Sequence, residues 1–291
     1  MALAEALVSH GPRVPGTTAH ARAATWLRAQ IRARGARLAE QPFTASLEGR
    51  DVPCVNLAGH TGPDGPPAVV LVAHWDTRPW CDRDPLMERR GLPGPGANDG
   101  ASGVAVLLEL LPLLPRDLSV ATVFVDAEDL GRAPEGYAQG SRAWVRTLAA
   151  PGPRWVLVVD MVGRADVRFR PEAASMRAAP WLVDRLWHLA GTVGAAPWFS
   201  RMPGPELIDD HTPFIEAGHA AVDLVDVADP AWHTHDDAVS RLDAGTLGAV
   251  GRSVLALVNE EASHAAPESP PRALSVGYHA TVALSHERSL P

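Results

Sequence analysis

The sequence predicts an α/β fold, a three-layer α/β/α domain in which helices cover both faces of a mixed, mostly parallel sheet. Short apolar runs of strand length alternate with helical patterns along the chain, as in sheets whose parallel strands are joined by helices. The length of 291 residues suits one large α/β domain or two small ones, with a sizeable core. We place a single domain at residues 1–262 and a tail, packed on the domain or flexible, at 263–291.

Local patterns predict the elements in order. Residues 17–34 form an amphipathic helix in which Leu27 and Ile31 share an apolar face, and Gly35 follows as a stop. Short, mostly apolar runs predict buried strands at 67–73, 119–125, 154–159 and 220–226. Further helices are predicted at 100–114, 139–149, 180–194 and 242–262. Residues 75–98, rich in Pro, Gly, Asp and Arg, predict irregular structure.

The composition excludes several kinds of chemistry. A formal net charge of −8 argues against a protein that tracks nucleic-acid phosphates, so no nucleic-acid partner is expected. All 26 basic residues are arginines, which excludes a Schiff-base lysine and the lysine of a phosphate-binding loop. Two cysteines, Cys54 and Cys81, are too few for a Cys-rich zinc site. The 12 histidines and 34 acidic residues leave imidazole and carboxylate metal sites open.

The apolar runs and the N-terminal residues bear on location. No run approaches about 18 apolar residues, so no membrane span is expected. The N-terminal residues lack the basic region and the apolar stretch of a signal peptide. We therefore expect a cytoplasmic protein as the sequence is written, or an exported one if an upstream leader is missing, and we expect a monomer.

Polar residues follow the predicted strands where those strands end. Ligands bind beyond the carboxyl ends of parallel strands, so these residues are expected to meet at one edge of the sheet. They are His74 and Asp76 after the first strand, Asp126, Glu128 and Asp129 after the second, Asp160 after the third, and residues 232–237 after the fourth. Asp99, at the start of a helix, is either a further member or only an N-cap. Such a gathering of carboxylates and imidazoles from distant segments predicts a metal site.

The types of these residues favour particular chemistry. Imidazole and carboxylate ligands without thiolates suit zinc or another first-row divalent ion. The adjacent acids Glu128 and Asp129 would repel each other unless a cation or a shared proton relieves them, so one can bind a metal while the other acts as a base. Asp126 is a rival, because alternate residues of a strand point the same way. Spacing alone does not separate His233 from His235 as a ligand.

Seven motifs resemble the M28 metallopeptidase clan, and within it they are most similar to the animal-type glutaminyl cyclases (glutaminyl-peptide cyclotransferases), especially their bacterial relatives. They are AHWDTRPW (73–80), GANDGASGVAVLLEL (96–110), VDAEDLG (125–131), GSRAW (140–144), LVVDMVG (157–163), DDHTPF (209–214) and WHTHDD (232–237). Together with GPRVPGTTAH (11–20), the resemblance runs in order from about residue 8 to residue 260. DDHTPF and the Trp before His233 distinguish cyclases from ordinary aminopeptidases of the clan. The resemblance implies a zinc aminopeptidase-like fold and an M28-like catalytic domain over 1–262.

The resemblance also implies a metal site. One zinc ion would be held by Asp99, Asp129 and His233. His74 matches a histidine that binds the second metal of two-zinc aminopeptidases, and cyclases generally keep it without using it as a ligand. With Asp160, this set keeps a two-zinc aminopeptidase possible as the alternative.

The activity that the resemblance implies is the conversion of N-terminal glutamine to pyroglutamate with release of ammonia, so the expected partners are peptides or proteins with N-terminal Gln. Glu128 would be the general acid/base, while Asp160 and Asp209 would hydrogen-bond around the reacting groups. Trp232 would wall the pocket for the glutamine side chain. The third hypothesis is a catalytically inactive domain of this kind that serves only in binding. The complete set of acidic residues argues against it.

Some residues depart from the animal pattern. Asp129 stands where animal enzymes have glutamate, although bacterial relatives often have aspartate there. Ala73 stands where animal enzymes have one cysteine of a disulfide. The loop after Asp129 lacks the tryptophan that animal enzymes place over the substrate, and Trp75 or Trp80 is expected to replace it in the substrate pocket. His211 of DDHTPF is expected to make structural hydrogen bonds.

Overall fold

The computed structural model describes residues 1–265, apart from the side chains of Glu135 and Ala265. In this range the strands are β1 (Arg37–Leu47), β2 (Arg50–Thr61), β3 (Val69–His74), β4 (Val120–Val125), β5 (Trp155–Asp160) and β6 (Ala221–Val225). The α-helices of the same range are α1 (Ala2–Val8), α2 (Thr18–Ala33), α3 (Ala101–Leu110), α4 (Gln139–Val145), α5 (Ala173–Ala178), α6 (Pro180–Thr192), α7 (His211–Glu216) and α8 (Ala244–Ala265).

The six strands form one mixed sheet in the order β1-β2-β4-β3-β5-β6. The hairpin β1–β2 is antiparallel and pairs antiparallel with β4, whereas β4, β3, β5 and β6 run parallel to one another. Val72 of β3 is paired with Val123 of β4 on one side and with Val158 of β5 on the other. The predicted mixed, mostly parallel sheet is confirmed, and β3 lies at its centre, where the functional residues are expected.

Helices cover both faces of this sheet, as the three-layer prediction requires. Leu71 of β3 belongs to a buried cluster that includes Leu107 of α3 and residues of α2, α6 and α8. Its neighbour Val72 points to the opposite face and belongs to a cluster with Trp144 of α4 and Phe214 of α7. Because successive residues of a strand point to opposite faces, a central strand buried on both sides is apolar throughout. Each fully buried Val or Leu side chain contributes about 1.5–3 kcal/mol.

The helix bounds follow from local chemistry. The hydroxyl of Thr17 accepts a hydrogen bond from the His20 N–H and so caps the start of α2. The predicted helix 100–114 is shorter in the structure, because α3 ends at Leu110 and a 3₁₀ turn, Leu111–Leu113, follows. Pro112 lacks the N–H that would continue the α-helical pattern.

Several predicted bounds change, and some elements were not predicted. The helix predicted over 139–149 ends at Val145, and the one predicted over 242–262 runs from Ala244 to Ala265. The hairpin β1–β2 was missed because β1 is a half-exposed strand with mixed polar residues, and α1, α5 and α7 were missed because six or seven residues give few periods to detect. Of the tail predicted at 263–291, residues 263–265 continue α8 and 266–291 lie outside the described residues.

Between residues 1 and 265, none of the helices combines the length and the apolar character that crossing a membrane requires.

Candidate metal centre

The parallel strands β4, β3 and β5 end at one edge of the sheet, and the segments that follow them meet there. His74 and Asp160 are the last residues of β3 and β5. Glu128 and Asp129 follow β4 after Ala127, which has a positive φ of 57°. The left-handed conformation of Ala127 ends the extended backbone of the strand. The side chains of residues 126 and 128 therefore do not point the same way, contrary to what strand alternation had predicted.

A cavity of about 540 Å³ opens at this edge. Its lining includes seven residues that the sequence singled out, namely Asp99, Glu128, Asp129, Asp160, Asp209, Trp232 and His233. It also includes Arg78, Asp82, Arg83 and Tyr137, which sequence reasoning missed. Segments that are far apart in the sequence therefore surround one space.

Three side chains in this cavity are spaced as metal ligands. Asp99, Asp129 and His233 each offer a ligand atom, and these atoms all lie within 4.8 Å of one another. The His233 Nε2 atom is 3.4 Å from Asp129 Oδ2 and 3.6 Å from Asp99 Oδ2. Tetrahedral zinc ligands at 2.0–2.2 Å from the ion are about 3.3–3.6 Å from each other, so these separations match a shared ion.

A second observation supports the fit to a cation. The Oδ2 atom of Asp129 is buried and has no hydrogen-bond partner within residues 1–265. Burial raises the pKa of Asp129, and the Asp99 carboxylate adds to this effect against the opposing influence of His233. A divalent cation would relieve this repulsion and occupy the unpaired oxygen. The donor set of two carboxylates and one imidazole is one that zinc takes.

His74 lies in a second group, with Asp99 and Asp160, whose ligand atoms also lie within 4.8 Å of one another. Its Nε2 atom is 3.0 Å from Asp99 Oδ1 and 3.1 Å from Asp160 Oδ1. These are hydrogen-bond distances, shorter than those in the first group. Burial alone lowers the pKa of His74, but the Asp160, Asp76 and Asp99 carboxylates outweigh it and raise this pKa well above its ordinary value.

Two buried carboxylates fix the backbone that carries the ligands. Asp237 accepts hydrogen bonds from the N–H groups of Asn98 and Asp99, at 2.6 and 3.1 Å. Asp76 accepts from the N–H groups of Glu128 and Asp129, at 3.1 and 3.3 Å. The carboxylate oxygens thus satisfy backbone donors of both ligand-bearing segments, which would otherwise be buried without partners.

The acidic residues beside the metal ligands have altered acidities. Burial raises the pKa of Glu128 well above its ordinary value, and the Asp209 and Asp129 carboxylates raise it further. Burial also raises the pKa of Asp160 to about 7, with Asp209 and Asp99 adding to the effect and His74 opposing it. A carboxyl group with a raised pKa can take up and release a proton near neutral pH, as a general acid/base must.

The aromatic residues near the site divide into two groups. Trp232 lines the cavity, with its ring centroid 4.4 Å from that of His233. Trp75 lies outside the cavity and is fully buried, so the expectation that it walls the pocket is wrong. Its ring stacks on His20 at 4.3 Å, and its indole N–H donates to the Val55 carbonyl. Apolar burial at the strand end, rather than substrate contact, accounts for this tryptophan.

Trp80 does not line this cavity but a separate one, together with Glu48 and Arg132, and Tyr137 is an aromatic residue of the cavity lining instead. The Trp80 ring is covered by the guanidinium groups of Arg78 and Arg132, at 5.3 and 3.6 Å. The Tyr137 ring lies against Gly131, where a Cβ atom would come within 2.4 Å of it. A tyrosine in the loop after Asp129 was the only signal for this position in the sequence.

The other candidate residues that the sequence offered do not line this cavity. Both carboxylate oxygens of Asp126 are 2.9 Å from His20 Nε2, away from the cavity. The His235 Nδ1 atom is 2.9 Å from Asp84 Oδ2, which leaves His233 as the histidine of this loop at the metal ligands. His211 is fully buried, with its Nε2 atom 3.2 Å from Glu172 Oε2, and the structural role expected for it stays a prediction.

Known proteins resemble this chain in sequence and in fold. The model of peptidase family M28 matches residues 56–258. A glutaminyl cyclase from Porphyromonas gingivalis is 32% identical with a TM-score of 0.85, and the match covers 89% of this chain and 96% of that one. A leucine aminopeptidase precursor from Bacteroides thetaiotaomicron is also 32% identical, with a TM-score of 0.85 and coverage of 88% and 94%. A Zn-dependent exopeptidase from Parabacteroides distasonis is 30% identical, with a TM-score of 0.83 and coverage of 88% and 95%.

The curated relatives are more distant. One protein from Escherichia coli and one from Bacillus subtilis are 28% and 26% identical, over 60% and 67% of this chain. The chain spans about half the length of these relatives, 51% of the first and 41% of the second.

Proposed function

Because this chain belongs to peptidase family M28 and resembles its glutaminyl cyclase branch, we propose that it is a zinc-dependent glutaminyl-peptide cyclotransferase. Its substrates are peptides or proteins with N-terminal glutamine, which it converts to pyroglutamate with release of ammonia. The glutaminyl cyclases among the similar structures support this reading.

One observation carries the proposal. Asp99, Asp129 and His233 offer three ligand atoms within 4.8 Å of one another, and Glu128, in the same cavity, has a raised pKa. The remaining candidate ligand, His74, is at hydrogen-bond distance from two carboxylates. This arrangement supports one metal ion and one independent acid/base group, which are the parts that the cyclisation needs.

Zinc held by Asp99, Asp129 and His233 would supply a Lewis acid that polarises the γ-carbonyl of the substrate glutamine. The α-amine attacks its own γ-amide carbon, so a C–N bond forms within the substrate and a five-membered lactam closes. Since the attack is intramolecular, the protein has mainly to fold the side chain back and to move protons.

Glu128 moves these protons. Its carboxylate takes a proton from the attacking amine, and the resulting carboxylic acid then gives a proton to the departing amide nitrogen as the C–N bond breaks. The nitrogen leaves as ammonia and Glu128 returns to its starting state, so protons and bonds balance. The raised pKa of Glu128 suits both halves of this task.

Other cavity residues orient the substrate. Asp209 and Asp160 line the same cavity as Glu128, the Asp209 carboxylate raises the pKa of both Glu128 and Asp160, and Asp209 and Asp160 accept hydrogen bonds from the substrate amine. Trp232 and Tyr137 line the cavity and contact the glutamine side chain. The substrate is thereby folded with its amine next to its amide, before any proton moves.

A two-zinc aminopeptidase is the second candidate, and one observation favours it. His74, Asp99 and Asp160 form a second group with ligand spacing, and it shares Asp99 with the first. In that case Glu128 would take the proton of an attacking water, and a peptide bond would break. Solved relatives with aminopeptidase or exopeptidase descriptions match equally well.

A coupled ammonia assay distinguishes these reactions. The purified protein with zinc is mixed with a Gln-initiated peptide and, separately, with a Leu-initiated peptide of otherwise identical sequence. Ammonia from the first, without any free amino acid from either, supports the cyclotransferase. Free leucine or glutamine supports the aminopeptidase, and no product from either peptide supports a domain that only binds.

A further inference from the structure

Arg78 is a buried cation that contacts one of the candidate metal ligands directly. Its side chain is 6% exposed, and its Nη1 atom donates to Asp129 Oδ1 at 2.7 Å. The same nitrogen lies 3.4 Å from the Asp129 carbonyl and 3.1 Å from that of Gly131. Arg78 therefore holds both the carboxylate and the backbone of the segment that carries Asp129.

The other side of this guanidinium binds Asp82. The Arg78 Nε atom donates to Asp82 Oδ1 at 2.8 Å, and Nη2 donates to Oδ2 at 3.2 Å, so the two side chains form a bidentate salt bridge. Asp82 Oδ1 also lies 3.4 Å from the Nδ1 atom of His233. Arg78 thus reaches a second ligand, His233, through Asp82.

These contacts select the ligand atoms that remain free. With Oδ1 of Asp129 bound to Arg78, the oxygen left without a partner among the described residues is Oδ2, which lies 3.4 Å from His233 Nε2. A carboxylate beside Nδ1 of His233 favours the proton on that nitrogen, which leaves the Nε2 lone pair for a metal. His233 has a φ of 58°, an uncommon backbone state that its surroundings must hold.

We propose that Arg78 and Asp82 are positioning residues for zinc. Arg78 makes Asp129 bind through one oxygen only, and Asp82 fixes the orientation and the tautomer of His233. The inference rests on the zinc-binding part of the proposed function and is independent of which reaction the site catalyses.

A matched pair elsewhere in the structure provides the control. Arg132 also covers the ring of Trp80, and its Nε atom donates to Glu48 Oε1 at 2.8 Å. Asp82 and Glu48 are similarly exposed, with side chains 44% and 48% accessible. The Arg132–Glu48 pair contacts none of the candidate ligands within the described residues, so Glu48→Gln breaks an arginine–carboxylate pair, with a more exposed arginine, without touching the site.

The test measures the zinc dissociation constant of the full chain by competition with a chelator of known affinity. Asp82→Asn is expected to weaken zinc binding by roughly 10–100-fold, the usual effect of losing such a partner, and Glu48→Gln to leave it unchanged. Arg78→Lys, which keeps the charge but loses the planar fork, is expected to weaken it as well. The unfolding temperatures of the metal-free proteins are measured in parallel.

A purely structural pair would lower the metal-free unfolding temperature and leave zinc affinity as it was. A loss of less than about tenfold in Asp82→Asn, or an equal loss in Glu48→Gln, overturns the inference. If the unaltered protein binds no zinc, the proposed function itself fails, and this outcome differs from a variant that binds zinc as the unaltered protein does.

Discussion

The Nε2 atom of His233 lies 3.4 Å from Oδ2 of Asp129, an oxygen that is buried without a hydrogen-bond partner among residues 1–265. An unpaired carboxylate oxygen costs free energy unless something binds it. Its separation from the imidazole nitrogen matches that of two ligands of one tetrahedral ion. Binding of a cation at this point would therefore satisfy an atom that residues 1–265 leave unpaired.

His233→Ala is expected to abolish tight zinc binding, because it removes one of the three proposed protein ligands. His235→Ala is the matched control, since His235 lies in the same loop and its imidazole bonds Asp84 instead. Zinc per chain is measured by elemental analysis after dialysis against metal-free buffer. Equal zinc content in the two variants would contradict the ligand assignment. The unaltered protein is expected to hold one zinc, and two would favour the aminopeptidase.

Glu128→Gln is expected to lower kcat by at least roughly 10²-fold, the lower end of what a general acid/base contributes. The amide is similar in size to the carboxyl group but cannot take up the proton of the attacking amine. Zinc should stay bound, because Glu128 is not one of the proposed ligands. Ammonia release and zinc content are both measured, and near-normal release or loss of zinc would disprove the role given to Glu128.

Trp232→Ala is expected to change KM, whereas Trp75→Phe is expected to change the free energy of unfolding. Trp232 lines the cavity, so its truncation should raise KM for a Gln-initiated peptide. Trp75 is fully buried against His20, and its replacement by Phe should reduce the free energy of unfolding while KM stays unchanged. Steady-state kinetics and urea unfolding check the pair. A raised KM in Trp75→Phe would show that Trp75 contributes to the substrate pocket.

The strand ends could be predicted from the sequence because parallel strands impose a common edge. The buried apolar runs predicted β3, β4 and β5. The polar residues directly after these runs, such as His74 and Asp160, were therefore predicted to lie at that edge, where the structure has them. The choice of His233 over His235 rested on the resemblance, because spacing could not provide it. The structure separates them through Asp84, which binds His235.

The rest depended on contacts that spacing does not encode. Arg78 and Tyr137 reach the cavity from irregular segments, whose paths follow from packing rather than from periodicity. Trp75 was expected in the pocket as a replacement for the tryptophan that the loop after Asp129 lacks, but its ring stacks on His20. The hairpin β1–β2 was missed because β1 is half-exposed and because polar residues interrupt the apolar residues of both strands.

The stability of the protein in acid should depend on Glu172. Burial alone raises the pKa of this group, but the His211 imidazole, 3.2 Å away, and hydrogen bonds from the N–H groups of Ala174 and Ser175 outweigh it and lower the pKa to about 2. A group with a lowered folded-state pKa stabilises above its unfolded pKa of about 4.5, and this contribution is lost as pH falls towards 2.

Glu172→Gln should therefore reduce the free energy of unfolding most at neutral pH, and the difference from the unaltered protein should narrow between about pH 5 and pH 3. Urea unfolding at several pH values measures it. Glu206→Gln is a suitable control, because Glu206 pairs with Arg177 at the exposed surface. A difference that is constant with pH would show that the loss comes from packing rather than from the charge of Glu172.

Gly100→Ala is expected to disturb the metal site through contact alone. A Cβ atom at Gly100 would lie 2.3 Å from the His74 carbonyl oxygen and 2.6 Å from atoms of its ring. The φ of Gly100 is −55°, which any residue adopts, so backbone strain does not contribute. Relief of the overlap requires His74 or the start of α3 to move, and Asp99 directly precedes Gly100. Zinc affinity and the unfolding temperature should therefore both fall.

Gly191→Ala is the control. Gly191 lies in α6, and outside its own helix no described atom lies within 4 Å of its Cβ position, so this change should leave zinc affinity unchanged and raise stability slightly. Zinc affinity in Gly100→Ala equal to that in Gly191→Ala would show that the site tolerates the added methyl group.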